Sequence, residues 1–82
     1  MEILPLRRDL AVYLTKRNLE KFFSKQQRFF EQNPFYPSLR TELLEPKHLR
    51  FWSFRITKGY RAIFIFRSDR TAEIVDINNH YQ

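Results

Sequence analysis

Residues 51–66 read Phe-Trp-Ser-Phe-Arg-Ile-Thr-Lys-Gly-Tyr-Arg-Ala-Ile-Phe-Ile-Phe, and this stretch decides the fold. Both halves are rich in aromatic and β-branched residues, which suit a pleated, half-buried strand surface. Between them lies Lys58-Gly59, and Gly59 is the only glycine in the chain. A two-residue hairpin turn needs positive φ, which glycine adopts without a steric penalty. We therefore predict a β-hairpin with a tight turn at Lys58-Gly59.

Each arm of this hairpin carries one arginine among apolar neighbours, Arg55 on the first arm and Arg61 on the second. A charge in a core strand is unfavourable unless it reaches water or a partner. We therefore expect one face of the hairpin to meet the core and the other to present cations to a ligand. In the tight register Thr57 pairs with Tyr60 and Ile56 with Arg61, which turns Arg55 away from Arg61. A shared face for the two arginines requires an odd-length loop or a bulge.

The segments on either side of the hairpin predict an α+β fold. Residues 1–6 form an apolar run that predicts an edge strand, because Pro5 lacks a backbone donor. Apolar residues at helical spacing predict helices from about residue 9 to residue 32, divided into a helical hairpin at Asn18; one long helix is the alternative. Residues 71–77 predict a third strand after the hairpin. The expected architecture is an N-terminal strand and a helical hairpin packed on a small antiparallel sheet, in one domain over residues 1–82.

Composition narrows the classes of partner. The formal net charge is +6, and ten arginines stand against five lysines. Nucleic acid is the first expected partner, an acidic protein the second and an anionic membrane a distant third; a basic surface with no such role is the alternative. The absence of cysteine excludes a disulfide framework and a thiolate metal site. No signal peptide or long apolar run is present, which indicates a cytosolic protein without a membrane span.

The remaining polar residues include the groups needed for metal-free cleavage of RNA. The ribose 2′-hydroxyl is the nucleophile, so the protein supplies a base, an acid for the leaving 5′-oxygen and cations for the phosphorane charge. Most small basic proteins contain such residues, so the pattern alone leaves the question open. The candidates are two histidines, three cations, a carboxylate and a tyrosine: His48, His80, Lys47, Arg55, Arg61, Glu45 and Tyr81.

Several segments resemble the RelE/ParE superfamily of toxins from type II toxin–antitoxin pairs. They are residues 33–40 (Asn-Pro-Phe-Tyr-Pro-Ser-Leu-Arg), 51–57, 60–64 and the terminal Asn-His-Tyr at 79–81, and the resemblance covers nearly the whole chain. The Trp-Ser-Phe-Arg-Ile-Thr run with the final His-Tyr is most similar to the YoeB branch, which cleaves messenger RNA in the ribosomal A site. The resemblance implies a RelE-like fold and a cognate antitoxin. The net charge of +6 predicts that this antitoxin is acidic, and the absence of cysteine with only two histidines predicts a reaction without metal or cofactor. Members of the ParE branch inhibit DNA gyrase instead.

The resemblance also implies roles for individual residues. Arg61 matches the arginine that contacts the scissile phosphate, and Arg55 matches a basic position on the preceding strand. His80 and Tyr81 match the C-terminal pair, in which the histidine is the acid/base candidate, and Glu45 matches the carboxylate before the hairpin. RNA-binding positions are expected at four further residues: Lys47, His48, Arg50 and Lys58.

Two alternative hypotheses compete with the prediction of a ribonuclease. One is a non-enzymatic toxin-like protein, either a gyrase inhibitor or an inactive scaffold that binds an antitoxin. The other is purely structural, with Arg61 as an exposed ion-pair partner of Asp76 or Glu73 and Arg55 as a partner of Asp76.

Overall fold

The computed structural model describes residues 1–79, as two helices packed on one face of a five-stranded sheet. This is the α+β fold expected from the sequence. The helices are α1 (Arg8–Lys16) and α2 (Glu20–Gln32), and two short 3-10 helices span Pro37–Leu39 and Lys47–Leu49. The strands are β1 (Glu2–Ile3), β2 (Glu42–Leu43), β3 (Trp52–Thr57), β4 (Tyr60–Phe66) and β5 (Thr71–Asn79). Neither α-helix is long and apolar enough to cross a membrane.

The sheet has the strand order β1-β5-β4-β3-β2. The N-terminal strand lies at an edge, as predicted, and it runs parallel to β5, whereas the other pairs are antiparallel. The opposite edge is β2, which pairs Glu42 with Ser53 and Leu43 with Trp52. A strand of two residues is too short to show in the sequence the alternation of apolar and polar residues that predicts a strand.

The helices form a hairpin, so the alternative of one long helix is wrong. Asn18 separates α1 from α2 in the left-handed conformation, with φ of 56°. Asparagine tolerates this conformation better than most residues, which is why it can divide two helices. Helix α1 buries Leu10 and Leu14, while α2 buries Phe23 and Phe30 at helical spacing.

The core forms where α2 crosses the central strands. Phe30 from α2, Phe54 from β3 and Phe64 from β4 are all fully buried. Their ring centroids lie 5.1 to 5.7 Å apart, and the Phe30–Phe64 pair meets edge to face. These are favourable aromatic geometries and add to the energy of burial. The phenylalanines of the helical stripe at positions 23 and 30 are therefore core residues.

The predicted β-hairpin is present, but its register differs from the tight one. Thr57 pairs with Tyr60, as expected, whereas Arg61 pairs with Arg55 and not with Ile56. Ile56 is thus one extra residue on β3, a β-bulge. Of the two registers considered, the one with a bulge is therefore present, and the tight one, in which Ile56 would pair with Arg61, is not.

The prediction of positive φ at Gly59 is also wrong. With Ile56 bulged, the connection is not the regular hairpin whose primed turn requires positive φ. The Gly59 N–H donates instead to Thr57 Oγ1 at 3.2 Å, so a threonine side chain stabilises the turn. A Cβ at Gly59 would meet no atom within 4 Å.

Candidate functional site

The face of the sheet opposite the helices carries both hairpin arginines. Side chains alternate along a strand, and the pairing of β3 with β4 is regular from Trp52 to Arg55. Ser53, Arg55 and Arg61 therefore share this face, which we call the open face. The bulge at Ile56 brings Arg55 onto it, because the tight register would have placed Arg55 on the other side.

Arg61 is held on the open face by two neighbours. Its Nη1 donates to Ser53 Oγ at 2.9 Å and lies 3.4 Å from Glu42 Oε1. Only 13% of the Arg61 side chain is exposed, against 55% for Glu42. The Arg61 Nε is buried and has no hydrogen-bond partner within residues 1–79. Both contacts use Nη1 and Nε is buried, so Nη2 is the donor that remains for a ligand.

The structure corrects the expected partner and exposure of Arg61. The carboxylate beside it is Glu42, not Asp76 or Glu73, and Glu73 pairs with Arg67 at 3.5 Å. Strand β2 causes this difference, because it sets Glu42 opposite Ser53. Sequence reasoning missed Glu42 together with its strand, and it also wrongly treated Arg61 as exposed.

Arg55 lies directly opposite Arg61 on the neighbouring strand. Like charges in this position destabilise a sheet. Glu42 offsets part of the repulsion at Arg61, whereas the Arg55 side chain has no ion pair within residues 1–79. The structural alternative of an Arg55–Asp76 pair is therefore wrong. An anion placed between the two guanidinium groups would relieve the remaining repulsion.

Gln26 supports the bulge from the helical side of the sheet. It is buried on α2, and its Nε2 donates to the Arg55 carbonyl at 2.8 Å and to the Ser38 carbonyl at 3.1 Å. A bulge interrupts the backbone ladder, so this amide satisfies a carbonyl at the interruption. The sequence signal for this role was a glutamine at position 26, which stands at helical spacing between Phe23 and Phe30 where an apolar residue would be expected.

Replacing Gln26 with leucine should lower the free energy of unfolding by about 1–3 kcal/mol, since two carbonyls lose their donor. Urea unfolding followed by circular dichroism measures the change. Gln32→Leu is the matched control, because Gln32 is exposed at the end of the same helix. Equal unfolding midpoints for the two variants would contradict the assigned role of Gln26.

The other predicted site residues divide between two ends of β3. Glu45, Lys47, His48 and Arg50 are exposed on the connection that enters β3 at Trp52. Lys58 lies in the hairpin turn at the opposite end, about 20 Å away for a six-residue strand. Their roles in catalysis and RNA binding stay predictions. The carboxylate that meets Arg61 is Glu42 and not Glu45.

The predictions for His80 and Tyr81 fall outside the described residues. Strand β5 ends at Asn79, which pairs with Tyr60, and Asn78 pairs with Arg61. Within residues 1–79, no group of three or more histidine, aspartate and glutamate side chains is placed to hold a metal ion.

Comparison with known proteins confirms the predicted fold. The chain is similar to a solved YoeB/ParE toxin from Agrobacterium tumefaciens, with a TM-score of 0.72 and 19% identity over 99% of this chain and all of the other. It is also similar to a chain of the heterotetrameric YoeB–YefM toxin–antitoxin complex from Staphylococcus aureus, with a TM-score of 0.70 and 17% identity over 98% of this chain and 94% of the other. No protein-family model and no curated protein sequence matches the chain.

Proposed function

We propose that this protein is the toxin of a type II toxin–antitoxin pair and cleaves messenger RNA on the ribosome. The observation that carries the proposal is the placement of Arg55 directly opposite Arg61 on the open face, with Glu42 beside Arg61. Two guanidinium groups and a carboxylate suit a phosphodiester whose charge increases during the reaction. The fold shared with YoeB/ParE toxins over nearly the whole chain supports the same conclusion.

The reaction is an attack of the ribose 2′-oxygen on the adjacent phosphorus. The bond from phosphorus to the 5′-oxygen breaks, leaving a 2′,3′-cyclic phosphate and a free 5′-hydroxyl. Arg61 contacts the non-bridging oxygens, where negative charge builds in the phosphorane, and Arg55 adds a second cation. Glu42, which lies 3.4 Å from Arg61, is the proposed acceptor of the 2′-hydroxyl proton. His80, the acid/base candidate by sequence resemblance, is the proposed donor of a proton to the leaving 5′-oxygen.

The proposed partner is an acidic antitoxin segment that folds onto the toxin. A groove of about 480 Å³ lies between β1 and the helices. It is lined by the apolar Ile3, Leu14 and Phe23 together with Glu2 and Glu20, so it suits an apolar part of the segment and not its acidic residues. Because β1 is an edge strand, its outer side is open to an added strand. The net charge of +6 attracts an acidic chain. The Staphylococcus aureus relative is solved in complex with its antitoxin.

Induction of the wild-type protein should stop growth and produce new cuts in translated messages. Primer extension maps these cuts, and co-expression of an acidic antitoxin encoded beside the gene should prevent both effects. In a purified system, chelator at levels that leave ribosomes intact should not stop cleavage. Growth arrest without cuts, together with lost DNA supercoiling, would contradict the proposal and favour a gyrase inhibitor.

A further inference from the structure

A second surface lies at the far end of β3 and β4 from the hairpin turn. Leu49, Arg50, Trp52, Ile65 and Phe66 line a cleft of about 430 Å³, which we call the aromatic cleft. The Trp52 ring meets Phe66 edge to face at 5.6 Å. The Phe35 ring also meets Trp52, at 5.7 Å between centroids. Phe35 is 54% exposed and Leu49 50%, so large apolar side chains remain in contact with water here.

Arg50 adds a cation to the aromatic cleft. Its guanidinium carbon lies 5.5 Å from the centroid of the Trp52 ring, within the range of a cation–π contact. The Arg50 backbone is left-handed, with φ of 60°, a conformation that glycine adopts more readily than arginine. Arg50 therefore has an unfavourable backbone conformation, and its guanidinium lies over the indole ring of Trp52.

We propose that the aromatic cleft binds a base of single-stranded RNA by stacking, with Arg50 contacting the same nucleotide. Aromatic faces combined with cations are the elements that bind single strands, because every base has a π-face and every nucleotide a phosphate. The inference rests on the proposed function and adds a second RNA contact to it.

Ile65 connects the aromatic cleft to the face of the sheet that carries Arg61. Ile65 lies on β4 four residues beyond Arg61 and points to the same face. The separation along the strand is about 13 Å. The rings of Trp52 and Phe66 alternate to the helical face together with Phe64, so the aromatic cleft opens around the end of these strands. An RNA chain whose scissile phosphate meets Arg61 can run along the open face past Ile65 and turn over this end to place a base against Trp52.

Trp52 is the only tryptophan, so its fluorescence reports directly on this cleft. The probe is a short 2′-O-methyl oligoadenylate, whose blocked 2′-oxygen permits binding without cleavage. It should quench Trp52 emission, and an abasic oligomer of equal length should quench it far less. Arg50→Gly should weaken binding about tenfold, within the range found when a stacking contact is removed.

Arg40→Gly is a closely matched control. Arg40 is also exposed, also follows a 3-10 helix and also has left-handed φ, at 48°. Both substitutions remove one positive charge and relieve the same backbone strain, so both variants should fold. Arg40 does not line the aromatic cleft, and its variant should bind the oligomer within about twofold of the wild type, as expected for a lost long-range charge.

Three results would overturn the inference: unchanged Trp52 emission on adding the oligomer, equal weakening by Arg40→Gly and Arg50→Gly, or equal quenching by the abasic oligomer or a polyglutamate peptide. The last would indicate a surface for anions or an acidic protein. If one of these three results is found and the wild type still cleaves messages on the ribosome, the proposed function stands and only the RNA contact at the aromatic cleft is refuted. Base-dependent quenching without ribosomal cleavage would contradict the proposed function and not the cleft.

Discussion

Arg61→Ala should lower the rate of ribosome-dependent message cleavage about 100- to 1000-fold, the usual effect of losing one electrostatic donor in the transition state. The guanidinium lies opposite Arg55, and both of its described contacts use Nη1. Nη2 can therefore meet a phosphate oxygen as negative charge builds on it, whereas Nε is buried. Single-turnover cleavage on programmed ribosomes measures the rate without interference from product release.

Two further variants test the geometry of the site. Arg61→Lys should restore only part of the rate, because an ammonium cannot reproduce the planar fork of donors. Glu42→Gln should also slow cleavage, since an amide cannot accept the 2′-hydroxyl proton as a base. The matched control is Arg28→Ala, which removes an exposed arginine from α2 on the opposite side of the sheet. It should cleave at the wild-type rate.

The stability of Arg61→Ala must be measured alongside its activity. Arg61 is mostly buried, and its loss removes the described hydrogen-bond partner of the buried Ser53 hydroxyl. We expect a cost of about 1–3 kcal/mol, which circular dichroism during urea unfolding will detect. A folded Arg61→Ala protein that cleaves at the wild-type rate would refute the assignment of the site.

Phe30→Ala should lower the free energy of unfolding by about 3–5 kcal/mol, the usual cost of truncating a buried phenylalanine. Phe30 is fully buried and contacts the rings of Phe54 and Phe64, so it connects α2 to both arms of the hairpin. Total stabilities of about 5–15 kcal/mol are typical, so the variant should be near the limit of folding.

Phe22→Ala is the matched control for this prediction. Phe22 lies on the same helix but is 52% exposed, and its truncation should cost much less. Thermal unfolding by calorimetry compares the two variants. A similar loss of stability from both would show that the core is not centred on the crossing of α2 with the hairpin.

The elements that the sequence predicted correctly all rest on local patterns. The hairpin arms show dense aromatic and β-branched residues, the helices show apolar residues at helical spacing, and Asn18 interrupts that spacing. Such signals need only neighbouring residues, so one sequence is enough to interpret them. The sequence indicated that Arg55 and Arg61 share a face only if the hairpin contains an odd-length loop or a bulge, and the bulge is present.

What the sequence could not predict depends on contacts between distant segments. The bulge at Ile56 is supported by Gln26 on α2, a residue about thirty positions earlier that shows no local connection to the hairpin. Glu42 reaches Arg61 only because a two-residue strand adds to the sheet edge. The missing positive φ at Gly59 follows from the same bulge.

The strand order also fixes when the protein can fold during its own synthesis. Strand β5 is the last strand of the described chain to be made, yet it lies inside the sheet between β1 and β4. The N-terminal strand has no partner until Thr71 and Ala72 have been synthesised, since these residues pair with Glu2 and Ile3. Pairing across such a long loop is slow and exposes apolar surface meanwhile. The nascent chain therefore cannot complete its core, or the open face opposite it, until residues 71–79 have left the ribosome.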